Sequence, residues 1–240
     1  MILGIFGDSF ADFPHDHTPK NVSHAWFNIL AKKLGYERGL HGETGTSPYN
    51  AYKKFLSLHK RYRIAVFIIS DHMRYTQSLR FEFDNHENLY HTTSIERLQN
   101  LRDTKPLTIN DKQRLDWLEG YFKMDDKDYK LTMTELMVRH MSTLHSNTIF
   151  YPGFSDYPSE VPEKYRLTNL VYNQLERFNI KPEEFFQYKE TDNVIGHMGP
   201  EYNQAFANVL YSKINTGKFD FSYFDKVRIR ARKSDYYIER

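Results

Sequence analysis

The chain alternates between short runs that are apolar throughout and longer stretches whose apolar residues recur every three or four positions. Ile2–Phe6 is a continuous apolar run and predicts a buried strand. From Val22 to Leu34, the residues Trp26, Phe27, Ile29, Leu30 and Leu34 fall on one helical face, and Gly35 follows where a C-terminal cap belongs. A glycine-punctuated stretch, GLHGETGTSPYN, separates this helix from the next. Pro48 opens that second helix, Tyr49–His59, at a position where proline is tolerated. YRIAVFIIS, Tyr62–Ser70, is apolar almost throughout, as a parallel strand covered on both faces must be. Strand, helix, Gly-rich loop, helix and strand in that order predict an α/β sheet.

The pattern then changes. Residues 74–130 are polar, charged and aromatic, and read as an insertion with a little local helix, Asn110–Leu118. A further helix is expected over Leu131–His145 and a core strand over Asn147–Phe154, ending in Pro-Gly. A helix near Leu167–Phe178 precedes the last strong one, which has Pro200 near its first turn and Phe206, Val209, Leu210 and Ile214 on one face. The expectation is a single domain over residues 1–240, with an insertion at about 75–145 serving as a lid or substrate-specificity region.

Composition narrows the class. At 240 residues the chain can bury a substantial core, and 16% aromatic content makes that core rich in Tyr and Phe. Mean hydropathy is −0.71, and no window approaches the roughly 18 apolar residues of a membrane span. The first residues lack the basic and apolar regions of a secretory signal. There are no cysteines, which excludes disulfides, thiolate zinc sites and a Cys nucleophile, and fits a cytoplasmic location. A net charge of +2 is too small to imply a polyanionic partner.

The chemistry concentrates at two places. The first strand stops at Gly7-Asp8-Ser9, which is either a turn or a nucleophile held at a strand end. In an open parallel sheet, ligands collect beyond the carboxyl ends of the strands, so a nucleophile there is well placed. Acyl transfer also needs a base, a group that orients the base, and donors for the oxyanion. His197 lies in a loop before the last strong helix, with Asp192 five residues earlier, close enough to fold its carboxylate back onto the imidazole. The backbone N–H of Ser9 can face an oxyanion. Gly45, after a second strand, is either an ordinary turn glycine or a second such donor.

These residues resemble a family. IFGDSFAD is similar to block I of the SGNH/GDSL hydrolases, GLHGETGTSPYNAY to the glycine of block II, and DNVIGHMGPEYNQAFANVL to the final block. The resemblance implies a three-layer α/β/α flavodoxin-like parallel sheet and serine-dependent ester hydrolysis. Ser9 would be the nucleophile, His197 the base, Asp192 its partner and Gly45 an oxyanion donor. No cofactor is implied. Two features depart from the family. The Gly-x-Asn-Asp expected after the third strand is replaced by IISDHMRYT, where Asp71, His72 or Arg74 can stand in for the Asn and Arg74 is the favoured donor. Val194 occupies the acid's usual place three residues before the histidine. This divergent form looks most like SGNH-type proteins of tailed phages and marine bacteria, which would place it in a host cytoplasm or a virion.

Other features leave choices open. His15-Asp16-His17 has ligand types that suit zinc or manganese, but no second His/Asp cluster accompanies it, so the expectation is no metal site. Asp8, His15, His17 and His72 are expected instead to contact substrate. The tail KVRIRARK alternates Val227, Ile229 and Ala231 with Arg228, Arg230 and Arg232. That is the period of an edge strand protected by charge, or a nucleic-acid patch over residues 226–233. The functional expectation is an esterase acting on a small-molecule or carbohydrate ester, O-acetylated sugars among them. The alternative is a binding protein for carbohydrate, nucleotide or protein on the same fold.

Overall fold

In a computed structural model, the structure describes residues 1–11, 25–43, 46–70, 109, 112, 127–153, 157–167, 169–170 and 200–227, with the backbone alone for Ser9, Lys127 and Pro200. Four strands, β1 (Ile2–Gly7), β2 (Glu37–Gly42), β3 (Ile64–Ile69) and β4 (Thr148–Pro152), form one parallel sheet in the order β2-β1-β3-β4. The described residues include the helices α1 (Trp26–Leu34), α2 (Pro48–Leu58), α3 (Lys127–Leu144), α4 (Pro200–Thr216) and the single turn α5 (Ser222–Asp225).

The strand sequences explain the layers. Side chains alternate across a strand. Leu3 and Ile5 of β1, Val66 and Ile68 of β3, and Ile149 and Tyr151 of β4 join one core cluster with Trp26, Phe27 and Leu30 of α1 and Phe206, Val209 and Leu210 of α4. Phe6, Ala65, Phe67 and Ile69 join the other, with Ala51 and Phe55 of α2 and Met137 and Met141 of α3. Helices therefore cover both faces, giving the three-layer α/β/α class. The chain runs outward from β1 to β2, then crosses back over β1 to β3. Right-handed crossovers in opposite directions put α1 and α2 on opposite faces. The reversal point lies between β1 and β3.

Local signals set the ends of the elements. Gly35 caps α1 in the left-handed conformation, its N–H reaching the carbonyls of Ala31 and Lys32. Ser47 caps α2, its Oγ accepting from Asn50 N at 3.3 Å, with Pro48 in the first turn. β2 takes in the first four residues of the stretch that reads as glycine-punctuated. Its sequence, ERGLHG, has one large apolar residue and only partial burial, as an edge strand allows. One of its glycines, Gly39, has a structural reason. A Cβ on Gly39 would meet Tyr62 Oη at 2.5 Å, and one on Gly4 of the neighbouring strand would meet the same ring at 2.6 Å. Tyr62 lies flat over this bare strip of sheet, and its hydroxyl meets His41 Nε2. Helix α3 begins at Lys127, four residues before the sequence pattern suggests, because its first turn is KDYK. Residues 75–126, apart from the helical Ile109 and Lys112, lie outside the described residues. So do most of the expected 167–178 helix and the tail beyond Val227, on which the expected edge strand falls; Lys226 is the C-cap of α5.

His41 gives a pH signature. Burial, reinforced by the positive charges of Lys54 and Arg61, holds its pKa below the ordinary value of 6.5. The unfolded chain then binds this proton more readily than the folded one. Stability from the neutral ring is present above about pH 6.5 and lost as pH falls through that value toward the lowered folded pKa. His41→Gln is expected to flatten the fall in thermal midpoint between about pH 7 and pH 5. Equal slopes in parent and variant would remove His41 from the account.

Candidate functional site

β1 ends where its neighbours crowd it. Gly7 has φ +139°, and a Cβ there would lie 2.7 Å from Ile68 Cβ and 2.8 Å from Ile68 O. Only a residue without a side chain passes this point unstrained. Gly7→Ala is expected to cost about 1–3 kcal/mol in backbone strain alone, more with the contact to Ile68, read as a lower thermal midpoint. A variant as stable as the parent would show that the backbone turns there by another route.

The next residues form a single 3-10 turn, Ser9–Ala11. Asp8 is fully buried, and its Oδ1 accepts from Phe10 N at 3.1 Å while its carbonyl accepts from Ala11 N at 2.8 Å. The carboxylate thus braces the turn that carries Ser9. On the far side, Phe10 O accepts from the indole Nε1 of Trp26 at 2.7 Å. Trp26 N donates in turn to Asn203 Oδ1 of α4, at 3.0 Å, and so satisfies one of the unpaired donors at the start of α1. One indole fastens the Ser9 turn to α1, and one carboxamide fastens α1 to the first turn of α4.

A second turn hangs from the same strand end. Glu43 N donates to Gly7 O at 3.1 Å, and Thr46 N donates to Glu43 O at 3.0 Å. Thr46 and Ser47 are buried beside it. The exposed Lys54–Glu43 pair, 3.4 Å apart, contributes little energy in water.

The sequence points to nine residues here. The structure places the backbone of Ser9 on the turn after β1, and Asp8 beneath it with its carboxylate turned to Phe10 N. Gly45, Arg74, His15, His17, His72, Asp192 and His197 lie outside the described residues. Sequence reasoning missed the Trp26–Phe10–Asn203 link. Trp26 was visible as the first residue of an apolar face, but no local spacing shows that its ring nitrogen reaches back to Phe10. Among the described residues, no group of three or more His, Cys, Asp or Glu side chains could hold a metal ion, and no helix is long and apolar enough to cross a membrane.

No family model matches the chain, and no curated protein does. Solved structures similar to it include a protein assigned to the G-D-S-L lipolytic family from Desulfitobacterium hafniense DCB-2, at 13% identity and a TM-score of 0.30, covering 79% of this chain and 71% of that one. Another is the acetyl xylan esterase AlAXEase, at 11% identity and a TM-score of 0.35, covering 89% of this chain and 100% of that one. The α/β class of this protein rests on its own sheet, β2-β1-β3-β4 with helices on both faces.

Proposed function

We propose that this protein is a serine-dependent hydrolase of ester bonds. One observation carries the reading: Ser9 sits on a braced turn directly after β1, at the point where the strand order reverses. That is where an open α/β sheet gathers its ligands. Chain connectivity supports the other assignments. Gly45 is one residue from Thr46 and two from Glu43, whose N–H is bonded to Gly7. His197 is three residues before Pro200, the start of α4. Three residues span at most about 11 Å, and the first turn of α4 is bonded to α1 through Asn203.

In this mechanism Ser9 Oγ attacks the acyl carbon, and His197 takes the hydroxyl proton. Asp192 fixes the imidazole tautomer and stabilises the imidazolium. The tetrahedral oxyanion is met by the N–H groups of Ser9 and Gly45 and by the Arg74 guanidinium. His197 then gives its proton to the leaving alcohol, and water releases the acyl group by the reverse steps. Asp8 serves as a positioning residue for the turn. His15, His17, His72 and the 75–126 segment contact the alcohol part of the substrate, a small ester or an O-acetylated carbohydrate. The test is labelling of Ser9 by a fluorophosphonate, alongside p-nitrophenyl acetate hydrolysis by the parent and Ser9→Ala. A well-folded chain that neither labels nor hydrolyses the ester would defeat this reading in favour of a binding protein on the same fold.

A further inference from the structure

Ser70 follows β3 directly, is 3% exposed, and has a buried hydroxyl with no hydrogen-bond partner among the described residues. Two other buried polar groups at this end of the sheet, Ser47 Oγ and Asp8 Oδ1, both accept backbone N–H groups. A buried hydroxyl left unpaired is a cost that folding alone does not explain. Its position suggests what offsets that cost. β1 and β3 are neighbours paired from Leu3 with Ile64 to Phe6 with Phe67, and Ser9 and Ser70 both follow the carboxyl ends of these two strands.

We propose that the Ser70 hydroxyl donates a hydrogen bond to the acyl oxygen of the bound ester as that oxygen becomes an oxyanion. This rests on the serine-hydrolase reading above and adds a donor to Ser9, Gly45 and Arg74. As Ser9 Oγ bonds to the carbonyl carbon, the C=O π pair moves onto the oxygen. The Ser70 proton stays on Ser70 and is shared with that oxygen. When the pair returns, the C–O bond to the alcohol breaks, and the alcohol leaves with the proton held by His197. The hydroxyl is buried from water, so it gives up no solvent bond to serve the oxyanion, and a donor in a dry site is worth more than one in water. An interaction formed only with developing charge changes kcat and leaves KM alone.

Two variants test this, Ser70→Ala and Ser70→Cys, the second keeping nearly the same volume with a weak S–H donor. Both are expected to lower kcat on p-nitrophenyl acetate by about 10²-fold, the lower end of what losing one oxyanion donor costs. KM should not change, and the thermal midpoint should equal or exceed the parent's, because removing an unpaired buried hydroxyl relieves rather than destabilises the fold. Undiminished kcat in Ser70→Ala, in a parent that labels at Ser9, overturns the Ser70 assignment and leaves the hydrolase reading intact. A loss of kcat that tracks a lowered midpoint overturns it too, by showing a packing role. A parent that neither labels nor turns over ends both.

Discussion

Ser9→Ala is expected to lower kcat on p-nitrophenyl acetate by up to about 10⁶-fold, the loss that follows when the nucleophile of a triad is removed. The fold should not notice. The turn that carries Ser9 is held by backbone groups and neighbours, namely Phe10 N on Asp8, Ala11 N on the Asp8 carbonyl, and Phe10 O on the Trp26 indole. None of these bonds uses an atom that the substitution removes. A thermal midpoint within about 1 °C of the parent, with fluorophosphonate labelling gone, is the expected pair of results, since one kcal/mol moves the midpoint of a chain this size by about 2–4 °C. Full activity in the variant would move the nucleophile elsewhere in the chain.

Trp26→Ala should damage stability and activity together. Trp26 is 1% exposed, meets Phe206 edge-on with ring centroids 4.9 Å apart, and caps the Ser9 turn through its indole. Large-to-small substitution of a buried tryptophan costs about 3–5 kcal/mol, enough to lower the midpoint by roughly 6–20 °C. Trp26→Phe separates the two contributions. It keeps most of the ring packing but leaves Phe10 O without the indole donor, at about 1–3 kcal/mol. Thermal melts with kcat measured well below the midpoint would show it. The prediction is a loss of turnover in Trp26→Phe that exceeds the fraction unfolded, because the turn shifts before the domain opens. Turnover that follows only the folded fraction would deny the indole any role in holding Ser9.

The strands that read clearly from sequence are those buried on both faces. Ile2–Gly7, Ile64–Ile69 and Thr148–Pro152 carry enough apolar residues for burial alone to specify them. β2 was legible only as a second strand without bounds, somewhere ahead of Gly45, because an edge strand of ERGLHG is held by backbone pairing with β1 rather than by its own side chains. Its two glycines look like loop punctuation until Tyr62 is seen lying across Gly39. At the site, Ser9 was legible from its place after an apolar run. The bracing role of Asp8 was not, because the direction of a carboxylate depends on the turn it belongs to. Still less visible was the Trp26–Asn203 bond, between residues 177 apart in sequence, since hydrophobic periodicity reports faces of elements and not which elements meet.

That separation also bears on how the protein refolds. Pairing β1 with β3 closes a loop of about sixty residues, but seating Asn203 on Trp26 closes one of 177. Contacts so distant along a chain form late, because their closure entropy must be met before they contribute anything. Until α4 arrives, Trp26 lacks Phe206 beside it, and its backbone N–H lacks the Asn203 carboxamide. The sheet can therefore be present while the Ser9 turn still lacks part of its support. In a refolding experiment on a Trp117→Phe variant, which leaves Trp26 as the one tryptophan, circular dichroism should recover ahead of esterase activity, with Trp26 fluorescence keeping time with the slower signal.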